Sequence, residues 1–410
     1  MPPSLSRILS DYGMVFVLLV LCAFFSAMTL TEQNPTGEAA ARQLASELQR
    51  TPGKGGRVLI AVRPQADDAV FAHQLEQTLT AAGLQVTVVT GEPRDAREAL
   101  QKLAAANRPL DAIAGNQVTA SWLVFADIPT DFPALGHPRI VKPRSYRWPN
   151  FLKSENLLNI ANQIAVIAII AIGMTMVIIT AGIDLSVGSL IALSAVLASR
   201  FIRDYAGAVH ATTAGMTLAS LAAILLCGLV GAFSGGMITL FRIPSFIVTL
   251  AMMLVGSGLA YLLAQGQSIY QLPDSFVWLG RGADLWHIPN AVLLMIVLYV
   301  LAHLLMSRMR LGRYLYAVGG NREAARLSGV PVQRVLLFAY AASGLLAGLG
   351  GVIMASQLKS GSPTYGNMYE LYIIAAVVVG GNEPFRRRRP HARHARRRVH
   401  HRGDPERHET

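Results

Sequence analysis

Residues 160–198 read IANQIAVIAIIAIGMTMVIITAGIDLSVGSLIALSAVLA. Two apolar stretches, each about long enough to cross a bilayer, meet at Gly182-Ile183-Asp184-Leu185-Ser186. The break holds a glycine, a carboxylate and a hydroxyl, with no basic residue beside them. A carboxylate in hydrocarbon costs about 3 kcal/mol on insertion scales. A chain keeps one there where it lines water, pairs with another helix or sits on a transport path. A chain built around such a break reads as a polytopic α-helical membrane protein, and as a transporter.

The rest of the chain extends that reading. About eight membrane segments are expected, at 14–30, 157–181, 186–203, 213–239, 245–265, 289–307, 335–356 and an incomplete one near 370–381. The first carries one preceding basic residue, Arg7, and no convincing small-x-small cleavage site, so it reads as an uncleaved anchor rather than a secretion signal. Cys22 and Cys227 both lie inside apolar segments and read as packing residues, not as a disulfide framework. The net charge of +12 does not point to nucleic acid. Half of that excess sits in 383–410, where ten arginines face four acids. Much of the remainder is in 308–334, where Arg308, Arg310, Arg313, Arg322, Arg326 and Arg334 stand against Glu323. Positive loops stay inside, so this loop is expected to be cytoplasmic. Counting segments backwards puts the N-terminus inside and 31–148 outside. Arg242 then falls inside, as it should, while Arg200 and Arg203 fall outside, against the trend.

Half of the 24 carboxylates lie between Glu32 and Asp131, which marks 31–148 as a small α/β domain inserted after the anchor helix of 1–30. Strands are expected at 58–62, 85–90, 110–114 and 122–125, with helices at 67–82 and 93–106. Alternation of this kind implies right-handed crossovers and a parallel sheet. The order resembles the first half of a periplasmic sugar-binding lobe, on the run from Leu100 to Ile113, a pattern that flavodoxin-like sheets share. Gly53-Lys54-Gly55-Gly56 lacks phosphate-loop spacing and reads as a linker. Residues 146–161, aromatic at one end, are expected to form an amphipathic helix at the outer interface. Gly231-x-x-x-Gly235 and Gly344-x-x-x-Gly348 are small-residue patterns for close helix packing.

Between the sixth and seventh segments, Gly319-Gly320-Asn321 ends one element and can cap another. A short amphipathic helix is expected over 323–329, with Ala324, Ala325 and Ser328 near one another and Gly329 at its end. Small side chains there let a partner's groove approach. A solvated basic loop held by lipid headgroups is the plainer reading.

Three stretches carry a specific resemblance: PNFLKSENLLNI (149–160), GMTMVIITAGIDLSVGSLIALSAVLA (173–198) and GRYLYAVGGNREAARLSGVPVQRVLLFAYAASGLLAGLGGVI (312–353). They resemble the permease subunit of the ribose/xylose/galactose class of bacterial ABC sugar importers, and AAVVVGG (375–381) resembles the start of that family's later glycine-rich turn. The resemblance covers 1–30 and 149–381, the expected transmembrane domain. Residues 31–148 stand apart from it. It implies a bacterial inner-membrane protein and a second permease copy as dimer partner. It also implies a cytoplasmic ABC ATPase docked on Glu323–Gly329 and a periplasmic sugar-binding protein at the outer face. The chain itself has no Walker A or B arrangement. No cofactor is expected on it, ATP being bound by the partner. By resemblance Gly182, Asp184 and Ser186 lie near the translocation path, and Asn162 and Gln163 are candidate pore residues. Asp184 has a plainer role as well, capping a helix expected from Leu185. Glu370 reads first as an outer-boundary residue.

After Gly381 the chain reads NEPFRRRRPHARHARRRVHHRGDPERHET, with five of its ten histidines. The family continues there with apolar segments. A disordered basic tail is the plain reading. A back-translation of these residues, shifted by one base, decodes as TSLSGGDGRMLGTLVGAFIIAVIQNGMK, an apolar and glycine-rich continuation. Residues 382–410 therefore read as an out-of-frame product. The expected consequence is poor stability or transport by the chain as written, which an uptake assay against a frame-restored chain would test. A membrane-anchored sensor is the alternative from another class, but 31–148 is too short for two ligand-binding lobes. A permease for branched-chain amino acids fits the same architecture.

Overall fold

The computed structural model describes residues 5–51 and 54–380. The tail 382–410 lies outside the described residues. The chain divides into two compact units, residues 1–156 and 157–410.

The first unit begins with α1 (Leu5–Met28) and β1 (Leu30–Gln33), followed by α2 (Gly37–Leu48), β2 (Arg57–Val62), α3 (Ala66–Ala81), β3 (Gln85–Thr90), α4 (Pro93–Ala105) and β4 (Ala112–Gly115). Two single-turn helices follow, α5 (Leu123–Ala126) and α6 (Ile128–Asp131), then β5 (Arg139–Val141) and β6 (Tyr146–Pro149). Strands β3-β2-β4-β5 form a parallel sheet in that order. Alternation along β2 feeds two cores. Val58, Ile60 and Val62 pack with Leu44 of α2 and with Phe71 and Leu75 of α3. Leu59 and Ala61 pack with Leu100 of α4, Phe125 and Ile128. α4 opens with a reciprocal cap between Glu92 and Asp95.

Three sequence expectations fail here. In place of a strand at 122–125 the chain forms the helix Leu123–Ala126, because Asn116 and Thr119 turn the chain. The Asn116 carboxamide oxygen accepts from the Val118 and Thr119 amides at 2.9 and 2.8 Å. The fourth strand is β5. Residues 146–161 are not one amphipathic helix. Tyr146–Pro149 pairs antiparallel with β1, Leu30 opposite Pro149, and helix resumes only at Ser154. Pro149 removes a donor and fixes φ, so the helix cannot run through it. Helix α2 was not foreseen, since its buried face is mostly alanine.

The second unit is helical. It continues α7 (Ser154–Ile179) and adds α8 (Val187–Tyr205), α9 (Thr213–Leu240), α10 (Ser245–Ala264), the short α11 (Trp278–Arg281) and α12 (Asn290–Arg308). Then come α13 (Arg310–Gly320), α14 (Arg322–Leu327), α15 (Val332–Leu358) and α16 (Tyr369–Val379). Among the described residues five helices are long and apolar enough to cross a membrane: α7, α9, α10, α12 and α15. The other three expected segments are helical as well: α8 is 19 residues long but carries Arg200, Arg203 and Asp204, α16 spans 11 residues, and the apolar stretch searched in α1 is Val15–Met28.

Helices α9 and α15 pack through their glycines. A methyl group added at Gly344 would stand 3.1 Å from the Gly231 Cα, so both backbones use the missing side chains. Helix α8 lies in the main core with Ile169 and Ile170 of α7 and Ile353 of α15. Cys227 is buried and unpaired. Arg200 and Arg203, which ran against the expected charge bias, share one carboxylate: Asp204 takes Arg200 at 3.1 Å and Arg203 at 2.7 Å. Arg200 also donates to the Leu263 carbonyl at 3.0 Å, at the negative end of α10.

Candidate translocation and coupling site

Helix α7 ends at Ile179, and α8 starts at Val187, two residues later than expected. Between them the backbone is held by side chains. Asp184 is 1% exposed. One carboxylate oxygen accepts from the Ser186 amide at 3.0 Å and its hydroxyl at 2.6 Å. The other accepts from Ser343 of α15 at 2.7 Å. Asp184 thus holds the approach to α8, on the side where the helix dipole favours a negative group. No cation pairs with it among the described residues.

The loop's other contacts come from α10 and α15. Ser245 accepts from the Ile183 amide at 3.4 Å, and Thr249 donates to the Ile183 carbonyl at 3.2 Å. Gly182 packs so close to the Tyr340 hydroxyl that a Cβ would overlap it. Gly182, Asp184 and Ser186 are all buried. The arrangement offers no nucleophile or general base in an open cleft. It is a polar clamp on a bent segment.

Asn162 lies toward the other end of α7: Ser343, which holds Asp184, packs against Gly173, and Asn162 is a further eleven residues back, about 17 Å at the helical rise of 1.5 Å per residue. It donates to the Gly280 carbonyl at 2.8 Å, and its own carbonyl accepts from Gln357 at 3.0 Å. Its carboxamide oxygen has no partner among the described residues. Gln163 is exposed. The candidate pathway residues therefore form two clusters, not one. Glu370 opens α16, and its carboxylate sits where a side chain at Gly188 would go.

The expected short helix of 323–329 is α14, which spans Arg322–Leu327. Asn321 caps it, accepting from the Glu323 and Ala324 amides at 3.0 and 3.1 Å. Gly329 ends the turn with φ +82°. Ala325 is buried, whereas Glu323, Ala324, Ser328 and Gly329 are exposed. Leu327 is 83% exposed, an apolar knob on an otherwise polar elbow. Glu323 and Arg326 pair at 3.1 Å on the surface.

Sequence reasoning missed the root of this elbow. Arg322 donates to the Thr180 carbonyl at 3.1 Å. Gly319 lies against the Ile179 carbonyl, leaving no room for a Cβ. The elbow is thus bonded to the C-terminal end of α7, two residues from Gly182. Beside it runs a groove of about 560 Å³ lined by Arg242, Ser245, Arg322, Arg326, Gln333 and Leu336 among others. Ser343 was missed as well. A lone hydroxyl in the apolar run of α15 was the available signal.

Comparison with known proteins now bears on this geometry. The family described as "Branched-chain amino acid transport system / permease component" matches residues 156–388. The chain belongs to this permease family. The match covers the helical unit, with both the break and the elbow, and leaves the α/β unit outside. The ribose import permease protein RbsC of Escherichia coli (strain K12) is 40% identical over 237 residues, 57% of this chain and 71% of that permease. RbsC of Bacillus subtilis (strain 168) is 40% identical over 235 residues, 57% of this chain and 70% of that protein. The L-arabinose ABC transporter permease protein AraH of Azospirillum brasilense is 36% identical over 233 residues, covering 57% and 66%. No solved structure matches the chain.

Proposed function

We propose that this chain is the membrane-spanning permease subunit of a binding-protein-dependent ABC importer that carries a monosaccharide across the bacterial inner membrane. Similarity to ribose and arabinose permeases supports the solute class. Branched-chain amino acids, named in the family description, are the second solute class, and the sugar-permease relatives favour the first. A ligand sensor is not favoured.

The observation that carries the mechanism is the bond from Arg322 to the Thr180 carbonyl. A separate cytoplasmic ATPase docks on α14, and Leu327 with its small neighbours Ala324 and Ser328 is the surface it grips. When the ATPase closes, it moves the elbow. Arg322 and the Gly319 contact pass that movement to the end of α7. There the clamp of Asp184, Ser343, Ser245 and Thr249 sets the angle between α7 and α8. Alternating access follows if the clamp has two arrangements, one open to each side. In this reading Asp184 is a hinge pin near the path, and Asn162 and Gln163 belong to the outer end. ATP is bound by the partner, and a second permease copy completes the conduit.

In this orientation loop 308–334 and the N-terminus are cytoplasmic, and 31–148 is a periplasmic insertion. The β1–β6 pairing supports the insertion reading, because it brings residues 33 and 146 face to face. Replacing 34–145 by a two-residue turn is expected to leave binding-protein-dependent uptake intact.

The decisive experiment is a crosslink. Leu327→Cys, expressed with its ATPase, is expected to crosslink to that subunit and to react with thiol reagents only from the cytoplasmic side. No crosslink, or periplasmic labelling, overturns the proposal. Arg322→Ala is expected to keep the crosslink while lowering uptake per ATP about tenfold, on the scale of one charge-assisted hydrogen bond. Unchanged uptake would remove Arg322 from the mechanism.

A further inference from the structure

At the C-terminal end of the first unit, the chain carries a concentrated and unanswered charge. Elsewhere in this unit, five arginines find carboxylates. Arg42 pairs with Glu38, Arg63 with Asp68, Arg94 with Glu98, Arg97 with Asp131 and Arg139 with Glu47, all within 3.4 Å. Lys142, Arg144, Arg147 and Lys153 follow within 15 residues of Arg139, with no acid between them. All four are exposed, and none has a salt-bridge partner among the described residues. Glu32 stands opposite Arg147 in the ladder, but its carboxylate accepts from the Ser145 hydroxyl instead. Arg50, Lys54, Arg57, Lys102 and Arg108 also have no salt bridge among the described residues, but they are scattered along the chain.

The four cations do not lie on a free-swinging loop. The Asn150 amide donates to the Thr29 carbonyl at 2.9 Å, and the Phe151 amide to the Thr29 hydroxyl at 3.1 Å. Phe25 and Phe151 stack with centroids 6.0 Å apart. The C-terminal end of α1 is thereby fastened to the turn at 150–152 that leads into α7, beside the basic strand β6. Tyr146 and Trp148 share one face of β6 and are 52% and 46% exposed. A cleft of about 960 Å³ beside them is lined by Gln43, Arg144, Trp148, Lys153 and one carboxylate, Glu155, which forms no salt bridge with either cation. Cations and half-exposed aromatics beside the end of an apolar helix are the chemistry of a headgroup layer.

We infer that residues 142–153 form a binding strip for anionic lipid headgroups, with phosphodiester oxygens held by Lys142, Arg144, Arg147 and Lys153 and Trp148 set at the interface. The orientation proposed above makes this sharper. Between this strip and loop 308–334 lie α7, α9, α10 and α12, each apolar enough to cross, and α8, 19 residues long. With α8 counted as a crossing, as that orientation requires, five crossings put the two on opposite sides. Unpaired cations on the outer side run against the usual bias, and an anionic outer-leaflet headgroup supplies the missing counter-charge. The strip itself rests on the local geometry, and only the choice of leaflet rests on the transport reading.

The test uses the full chain in nanodiscs and the Trp148 part of the fluorescence, obtained by difference from Trp148→Phe. Brominated phosphatidylglycerol is expected to quench this component about twofold more than brominated phosphatidylcholine at equal mole fraction. The difference should vanish in K142Q/R144Q/R147Q/K153Q and shrink in R144Q alone, a variant mild enough to fold. Equal quenching by both lipids overturns the inference, as does a preference that survives the fourfold variant. Displacement of the brominated phosphatidylglycerol by inorganic phosphate would assign the strip to a free anion and overturn the lipid source. Cation-dependent capture of the periplasmic binding protein, without lipid preference, would assign it to a protein partner and overturn it too. Lipid quenching does not require transport, so failure here and failure of the transport proposal are separable.

Discussion

Helices α8 and α12 are each 19 residues long, yet they play opposite parts. Helix α12 reads NAVLLMIVLYVLAHLLMSR and qualifies as a membrane span by apolarity. Helix α8 reads VGSLIALSAVLASRFIRDY and does not. In the fold thirteen residues of α8 are buried but only three of α12, so the less apolar helix is the inner one. In water the reverse would be expected. In lipid, apolarity earns no burial, because the tails are as apolar as leucine. Small and hydroxylated residues allow close approach and hydrogen bonds, so they mark the packed centre. Ser194 shows how: its hydroxyl donates to the Gly348 carbonyl at 2.7 Å.

Breaking the inner contacts should therefore cost more than trimming the outer face. The largest effect is expected from Gly344→Leu, which drives a branched side chain into the Gly231 and Cys227 backbone. Overpacking of that kind costs roughly 3 kcal/mol, and little folded protein should be recovered in detergent. Asp184→Ala comes next. It leaves the buried Ser343 hydroxyl and the Ser186 amide without their acceptor. A loss of about 2 kcal/mol in thermal or denaturant unfolding is expected, with Asp184→Asn milder because one acceptor oxygen survives. Ser194→Ala removes one interhelical hydrogen bond and should cost about 0.6 kcal/mol. Leu301→Ala, at a residue 55% exposed on α12, should change unfolding by less than about 0.5 kcal/mol. A larger loss at Leu301 would mean that the outer face of α12 meets a protein partner rather than lipid, and would sharpen the comparison into an interface.

The same physics sets what could be read in advance. The parallel sheet was legible because alternation and helical spacing are strong over β2, α3, β3 and α4. Strand β6 was not. Its partner, β1, is distant in sequence, and no local pattern announces a pairing between Leu30 and Pro149. The elbow was legible down to its Asn321 cap, because capping is local chemistry. The bond from Arg322 to Thr180 was invisible, since it joins residues far apart in the chain. Asp184 announced itself by the cost of its charge, but its partner Ser343 did not.

By itself, then, the sequence determined where the long apolar helices run, that a carboxylate interrupts two apolar runs, and where a short capped helix follows a basic turn. Those are consequences of residue type over a few neighbours. Tertiary structure alone decided which helix lies inside, what holds Asp184, and that the elbow is bonded to the end of α7. These depend on close approach between distant backbones, where a missing side chain or a single hydroxyl matters more than average apolarity.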